Sequence, residues 1–354
     1  MSLAIRRMVL GLVFALAGSG TLRGQGSAPR PPLITLVEQT SGTDALLQAV
    51  SPVSQRVVWA SGHAGTILLT LDGGGTWVTR PSEAGDSLQF RDVHGFSGRE
   101  AVVLTSGNGP LSRLYRTEDG GASWSLTFLM EEPAGFLDCL DFLDETHGFA
   151  YGDSFDGVPF LLETKDGGRN WNRVSAAALP AAGQGEGGFA ASGTCARAAP
   201  DGAFWIATGA GGNARLLSLR SGAGQWSVQE APVVRGDAAG LTTVAFGAAG
   251  SGVALGGDLA QMEARTDNVL LTRDGGRTWA AGGALHLLGP VYGSAFVPGT
   301  TTVVAVGPGG ADVSDDGGRT WRALSDQTYW AVGVAAGGVG WMVGPRGRIT
   351  RIEW

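Results

Sequence analysis

The chain has 354 residues, of which 43% are hydrophobic and only 16% are charged, and its formal net charge is −7 at pH 7. This acidic balance argues against nucleic acid and anionic membranes as partners, because both are bound by clusters of Lys and Arg. The 60 glycines show no three-residue period, which excludes collagen. Short β-branched runs between them are typical of many strands joined by tight turns.

The first residues have the pattern of an export signal. Arg6 and Arg7 precede a short apolar run, Met8 to Ala17, which ends in small residues suited to cleavage. This run is too short for a membrane span, which needs about 20 residues. We therefore expect residues 1–28 to be a signal peptide and leader, and residues 33–354 to form one domain. The mature protein is expected to be an exported monomer, periplasmic or extracellular, without a membrane span.

One short motif recurs along the rest of the chain, here called the Asp-Gly-Gly turn. Its copies read Thr-x-Asp-Gly-Gly-x-Thr-Trp or close variants, with a degenerate copy ending at Trp226. Successive motif tryptophans are 47, 47, 55, 53 and 42 residues apart, which suits one four-stranded propeller blade. A seventh repeat begins near Gly340 and lacks its own turn. The sequence therefore predicts an all-β, seven-bladed propeller with four-stranded antiparallel blades.

The end of the last repeat predicts how the ring closes. The segment Leu36 to Gln39 resembles the strand that follows the turn in other blades, whereas the last repeat lacks such a strand. We expect this N-terminal strand to complete the last blade. Closure of this kind removes the exposed sheet edges of an open array.

The turn motif itself predicts a structural role for its acidic and aromatic residues. A short carboxylate can accept backbone N–H bonds, and the glycines supply positive φ without steric strain. The acidic spacing of a calcium loop is absent, so no metal ligation is expected there. The residues concerned are the aspartates Asp72, Asp119, Asp166, Asp274 and Asp316, and the tryptophans Trp77, Trp124, Trp171, Trp279 and Trp321, whose rings should be buried.

The face opposite these turns is the predicted ligand face. It should carry the starts of the innermost strands and the turns between second and third strands. Alignment of the repeats on Phe96, Phe142, Phe246 and Phe296 puts the following candidates there: His63, Asp92, Asp138, Asp153, Asp258, Tyr292, Trp330 and Arg346. Carboxylates beside aromatic rings suit a carbohydrate or a peptide, and could also hold a hard cation. Solvated loop residues of an acidic protein are the alternative, and no resident metal or cofactor is predicted.

Two residue pairs occupy matching columns of neighbouring repeats. Asp141 and Arg197 could form an ion pair across a blade boundary, a contact that is more often structural than catalytic. Cys139 and Cys195 could form a disulfide, which an exported protein permits, or remain two buried thiols. Two cysteines without a supporting histidine pair do not predict a zinc site.

The repeat resembles the Asp-box, or bacterial neuraminidase repeat, of sialidases, sortilin-type receptors, xyloglucanases and the photosystem II stability/assembly factor propellers. The chain is most similar to the assembly-factor group, in segments such as Gly65 to Gly73 and Gly340 to Gly344. The resemblance covers residues 34–354. It implies a non-catalytic, assembly-factor-like propeller that binds a protein or glycan opposite the turns. The photosynthetic members are described as using a basic patch, whereas the face predicted here is acidic, so their client does not carry over.

The resemblance to sialidases gives an alternative function. A glycoside hydrolase could use Asp92 and Asp138 as its acid and base, but the arginine cluster and Phe-Arg-Ile-Pro-like segment of sialidases are not found in the sequence. Three long inserts, at Asn172 to Gly188, Glu230 to Leu241 and Asp258 to Asn268, enlarge the loops in which propellers acquire partners. A binding scaffold is therefore the favoured interpretation.

Overall fold

The computed structural model describes residues 33–81, 87–264 and 268–354, which form twenty-eight strands in seven four-stranded antiparallel sheets. This confirms the predicted seven-bladed propeller. Leu33–Trp354 make one compact unit, and the predicted signal peptide and leader, residues 1–28, lie outside the described residues. In the described part of the chain, no helix is long and apolar enough to span a membrane.

Each of the first three blades is a consecutive run of four strands, innermost first. Blade 1 contains β2 (Leu47–Pro52), β3 (Val58–Gly62), β4 (Ile67–Thr70) and β5 (Val78–Thr79). Blade 2 contains β6 (Phe90–Gly95), β7 (Ala101–Thr105), β8 (Arg113–Thr117) and β9 (Ser125–Leu129). Blade 3 contains β10 (Leu137–Phe142), β11 (Gly148–Phe155), β12 (Val158–Thr164) and β13 (Asn172–Arg173).

The next three blades repeat this order. Blade 4 contains β14 (Ala196–Ala198), β15 (Phe204–Thr208), β16 (Arg215–Leu219) and β17 (Ser227–Glu230). Blade 5 contains β18 (Ala239–Phe246), β19 (Gly252–Asp258), β20 (Val269–Thr272) and β21 (Ala280–Ala281). Blade 6 contains β22 (Gly293–Phe296), β23 (Val303–Gly307), β24 (Gly310–Ser314) and β25 (Arg322–Ser325). Short 3₁₀ turns lie at Gly109–Leu111, Ala176–Ala178 and Ala248–Gly250.

Blade 7 joins the two ends of the described chain. It contains β26 (Ala331–Ala335), β27 (Val339–Val343) and β28 (Ile349–Glu353), and its outer strand is β1 (Thr35–Gln39). The pairing of β1 with β28 runs from Thr35 opposite Glu353 to Gln39 opposite Ile349. The Gln39 side chain donates to the Gly73 carbonyl at 2.9 Å and accepts from the indoles of Trp77 and Trp341. The predicted closure is confirmed, and Gln39 ties the last blade to the first.

The five Asp-Gly-Gly turns lie between the third and fourth strands of their blades and share one hydrogen-bond pattern. At Asp274, Oδ1 accepts from the Thr272 hydroxyl at 2.8 Å and from the Thr278 N–H at 2.9 Å. The Thr272 hydroxyl oxygen also accepts the Gly276 N–H at 2.8 Å. The Thr278 hydroxyl donates to Asp274 Oδ2 at 2.6 Å, and this bond, the Thr278 N–H bond and the Thr272 hydroxyl bond lower the pKa of Asp274 to about 2. The Asp274 carboxylate therefore stabilises the turn by accepting hydrogen bonds from residues on both sides of it.

The motif tryptophans pack across the boundaries between blades as well as against rings of their own blade. Trp279 of blade 5 lies with its ring centroid 5.9 Å from that of Trp205 in blade 4. The ring centroids of Trp124 in blade 2 and Trp59 in blade 1 are 6.1 Å apart. Trp226, the tryptophan of the degenerate copy in blade 4, lies 5.3 Å from the ring of Phe149 in blade 3. Each ring therefore seals the apolar layer that joins neighbouring sheets.

A disulfide joins Cys139 of blade 3 to Cys195 of blade 4, with the two Cα atoms 5.9 Å apart. Both cysteines are buried, Cys139 within the inner strand β10 and Cys195 directly before β14. The ion pair of the same two blades is also present, since Arg197 Nη1 lies 3.7 Å from Asp141 Oδ2. The inner edges of these blades are thus linked both covalently and electrostatically.

Candidate functional site

The inner strands of blades 1, 2, 3 and 5 each contain a β-bulge near their start. In β2, Leu47 pairs with Gly62 but Ala49 already pairs with Ser61, so Gln48 is the extra residue. Arg91 is the extra residue in β6, Asp138 in β10 and Thr242 in β18. A bulge redirects the side chain of the extra residue. These four positions are therefore structurally equivalent.

The bulges correct the repeat alignment in blade 2. Phe142 is the last residue of β10, whereas β6 ends at Gly95, one residue before Phe96. Alignment of Phe96 with Phe142 therefore shifted blade 2 by one position, and it is Arg91, not Asp92, that matches Asp138. In a strand, a shift of one residue moves a side chain to the opposite side.

A loop that begins at the end of the first long insert crosses the central channel. This segment, Gly187–Gly193, is here called the channel plug. The Ala190 carbonyl accepts from Arg91 Nη1 of blade 2 at 3.1 Å, and the Ser192 hydroxyl donates to the Tyr292 carbonyl before blade 6 at 2.6 Å. The Gly188 N–H donates to Asp153 of blade 3 at 3.1 Å. The channel plug thus binds three separate parts of the ring.

Small residues are required where the channel plug passes the inner strands. A Cβ at Gly188 would lie 2.6 Å from the Asp138 carboxyl, and one at Gly193 would lie 2.1 Å from Asp92 Oδ1. After the channel plug, buried hydroxyl groups connect neighbouring blades. The Thr194 hydroxyl, before blade 4, donates to the Thr243 hydroxyl of blade 5 at 2.7 Å. The run Gly-Glu-Gly-Gly-Phe-Ala-Ala-Ser-Gly at 185–193 is the only sequence signal of this arrangement.

An open cavity of about 420 Å³ lies on one side of the channel plug, here called the upper cavity. Antiparallel blade order puts it on the face opposite the Asp-Gly-Gly turns, because it contains inner-strand starts and second-to-third-strand turns. Five predicted residues line it together: His63, Asp138, Asp153, Tyr292 and Trp330. Gln48, Arg91, Phe136 and Phe189 also line it and were not predicted as ligand residues.

The upper cavity combines an aromatic wall with a polar floor. The rings of Tyr292 and Trp330 lie with centroids 4.9 Å apart and planes tilted by 47°. Asp138 is 1% exposed; burial raises its pKa well above the usual range, and the nearby Asp153 carboxylate raises it further. Burial also raises the pKa of Asp153. The two carboxyls therefore titrate as a pair above the ordinary aspartate range.

The upper cavity contains two basic groups, Arg91 and His63, of which Arg91 is held by hydrogen bonds. Arg91 donates to Gln89 Oε1 through both Nε and Nη2, at 3.1 Å and 2.6 Å. Burial lowers the pKa of Arg91, which the charge of Asp138 partly offsets. Burial, followed by the charge of Arg91, lowers the pKa of His63, so this imidazole is neutral at pH 7.

Asp92 lies on the other side of the channel plug. It lines a lower pocket of about 240 Å³ together with His94, Asp141 and Arg197. Its oxygens accept the N–H groups of Val93 and Leu140, both at 2.7 Å. Asp92 is 4% exposed, and burial raises its pKa to about 8 despite the opposing charge of Arg197. The structure therefore does not bring Asp92 and Asp138 to the same cavity.

The two remaining candidates lie outside the upper cavity. Asp258 accepts the Ala260 N–H at 2.9 Å, and only its neighbour Leu259 lines the cavity. Arg346 is exposed with φ +56° and lines a separate pocket beside Glu38. The prediction that a residue lies on the ligand face was thus not enough to predict which side chains line the same cavity.

Comparison with known proteins finds no matching family model and no similar curated protein. Among solved structures, one described as YCF48 bound to D1 peptide has a TM-score of 0.63 and 18% identity, covering 92% of this chain and 99% of that one. YCF48 from Cyanidioschyzon merolae has a TM-score of 0.61 and 18% identity, covering 90% of this chain and 98% of that one. At this identity the likeness shows a common fold.

Proposed function

We propose that this protein is a non-catalytic propeller that binds a segment of another protein in the upper cavity. The observation that carries the proposal is the convergence of the Tyr292 and Trp330 rings with Asp138, Asp153 and Arg91 on one open cavity of about 420 Å³. A concave, aromatic-lined site with a few buried polar groups is typical of ligand recognition. Its floor is held in place by the channel plug.

Two likenesses support an assembly-factor-like role. The turn repeat resembles the Asp-box, and a propeller of the same fold, YCF48, is described as bound to a D1 peptide. We propose that the partner here is likewise a peptide segment, of a chemistry set by this chain's own cavity. We also propose that the protein is exported, which its N-terminal pattern and the Cys139–Cys195 disulfide favour.

The glycoside hydrolase alternative requires Asp92 and Asp138 to act together as acid and base, but the two residues line different cavities. A glycosidase requires both carboxyls to flank one scissile bond, whereas Asp138 lines the upper cavity and Asp92 lines the lower pocket. The Asp92 oxygens are also occupied by two backbone N–H groups. A binding function is therefore the better supported of the two.

The proposal is tested by peptide selection on the full chain. A random peptide display library is panned against the protein, and the affinities of selected peptides are measured by fluorescence anisotropy. Trp330→Ala should weaken binding about thirtyfold, because loss of an aromatic anchor costs about 2 kcal/mol. Leu71→Ala, an exposed apolar change beside the Asp72 turn, should leave the affinity unchanged.

Two results would contradict the proposal: no peptide is selected, or the selected peptides bind Trp330→Ala as tightly as wild type. A glycan array and a fluorogenic glycoside assay on the same sample distinguish the other functions. Glycan binding lost in Trp330→Ala would make the ligand a carbohydrate, and turnover lost in Asp138→Asn would indicate an enzyme.

A further inference from the structure

Three buried polar atoms belong to residues that line the upper cavity and have no hydrogen-bond partner, apart from the contact that Asp138 makes with the Asp153 carboxyl. They are Gln48 Oε1, His63 Nε2 and Asp138 Oδ2. Gln48 is 2% exposed and Asp138 is 1% exposed. Buried polar atoms in native proteins are nearly always paired, so several unpaired atoms in one place call for an explanation.

The chemistry of these atoms defines what could pair with them. An amide carbonyl oxygen only accepts, a carboxylate oxygen accepts when the group is ionised, and a neutral imidazole accepts at Nε2 when its proton is on Nδ1. Gln48 and Asp138 occupy the equivalent bulge positions of β2 and β10, so both side chains are directed by the same backbone feature. The missing partner is therefore a group rich in N–H donors.

The charges of the upper cavity agree with a donor that is also a cation. Two carboxyls, Asp138 and Asp153, face one guanidinium, that of Arg91. Arg91 already donates to Gln89 and to the Ala190 carbonyl. Tyr292 and Trp330 present aromatic rings on the cavity wall, and such rings attract a cation within about 6 Å of the centroid.

We propose that the upper cavity holds a cationic side chain of the bound protein, a lysine ammonium or an arginine guanidinium, with Asp138, ionised when the cation is bound, as its counter-ion. Gln48 and His63 accept further N–H bonds from the same group, and the aromatic wall encloses its aliphatic stem. The peptide origin of this group rests on the proposed function. The recognition of a cation does not, because a small amine can test it directly.

Saturation-transfer NMR on the full chain compares two matched pairs of probes. N-acetyl-lysine methylamide is compared with its norleucine analogue, and N-acetyl-arginine methylamide with its citrulline analogue, so that each pair differs in charge at similar size. The cationic member should bind about tenfold more tightly, corresponding to about 1.4 kcal/mol from a charge-assisted hydrogen bond. The pair with the larger preference identifies lysine or arginine as the source.

Asp138→Asn should abolish this preference, because it removes the counter-ion with little change in shape. Asp237→Asn is the matched control, since it makes the same charge change at an exposed carboxylate that does not line the upper cavity. If Asp138→Asn fails to fold, Gln48→Leu serves instead, and it should weaken the cationic probes more than the neutral ones.

Equal binding of charged and neutral probes would overturn the inference, as would a cationic preference that persists in the folded Asp138→Asn variant or is undiminished in Gln48→Leu. Its failure is distinguishable from that of the proposed function. Peptides that bind through Trp330 without a need for Lys or Arg would leave only the proposed function standing. If the protein prefers the cationic probes but selects no peptide, the cation site is supported and the proposed function is contradicted.

Discussion

At the scale of single residues, Asp92 shows how burial changes the ionisation and the role of a carboxyl group. Its pKa is raised to about 8, mainly by burial, although two backbone N–H groups and Arg197 favour its charge. The side chain fixes the start of β6 against β10 through Leu140. We therefore assign Asp92 a structural role.

This assignment predicts a pH-dependent stability. Between the ordinary pKa of 3.8 and the native value of about 8, the folded state binds the Asp92 proton more than the unfolded state does. Its contribution to the free energy of unfolding is therefore full below pH 4 and is lost as the pH rises through 8. Asp92→Asn should reduce this slope, measured by urea unfolding from pH 4 to pH 8.

The same variant should be less stable than wild type in acid. Asparagine has one acceptor oxygen, so one N–H of Val93 or Leu140 loses its partner, which costs about 1–3 kcal/mol. Asp237→Asn, at an exposed site, should show neither effect. A pH slope unchanged in Asp92→Asn would remove Asp92 as its source.

At the scale of elements, the channel plug depends on glycine at a close approach. Gly193 has φ +71°, and a Cβ there would lie 2.1 Å from Asp92 Oδ1. Gly193→Ala should therefore combine backbone strain with a steric clash and lower the free energy of unfolding by about 2–4 kcal/mol. The melting temperature and chemical denaturation measure the loss.

Gly222→Ala is the matched control for this prediction. Gly222 has φ +75°, but no atom lies within 4 Å of its added Cβ. Its substitution isolates the backbone term, which should cost about 1 kcal/mol. Equal losses at Gly193 and Gly222 would show that the channel plug does not constrain this position.

The elements also show which parts of the structure the sequence could predict. The Asp-Gly-Gly turns and the closing strand β1 were predictable because local bonding and a missing fourth strand specify them. The site was predictable only in part, because the bulges at Gln48, Arg91 and Asp138 depend on strand pairing. The channel plug was not predicted, because its partners Arg91 and Tyr292 are about a hundred residues away in sequence.

At the scale of the whole molecule, β1 closes the ring. A chain that begins at Thr40 would leave the outer edge of β28 unpaired and would remove the Gln39 bonds to Gly73, Trp77 and Trp341. We expect loss of a large part of the roughly 5–15 kcal/mol of stability typical of a domain. An exposed edge should also promote association.

Thermal unfolding and light scattering test this prediction, with a chain that begins at Thr35 as the control. The control keeps all five residues of β1 paired with β28, so it should melt as the longer chain does and stay dispersed. Equal melting temperatures for the two shortened chains would show that closure contributes little to stability.

The channel plug has one more consequence, for the path that a bound polypeptide can take. The upper cavity and the lower pocket lie on either side of Gly187–Gly193, which is bonded to blades 2 and 3 and to the approach to blade 6. Under the proposed function, a partner chain would therefore have no passage through the hub. It would enter and leave by one mouth, and would insert a single side chain, a chain end or the apex of a bend.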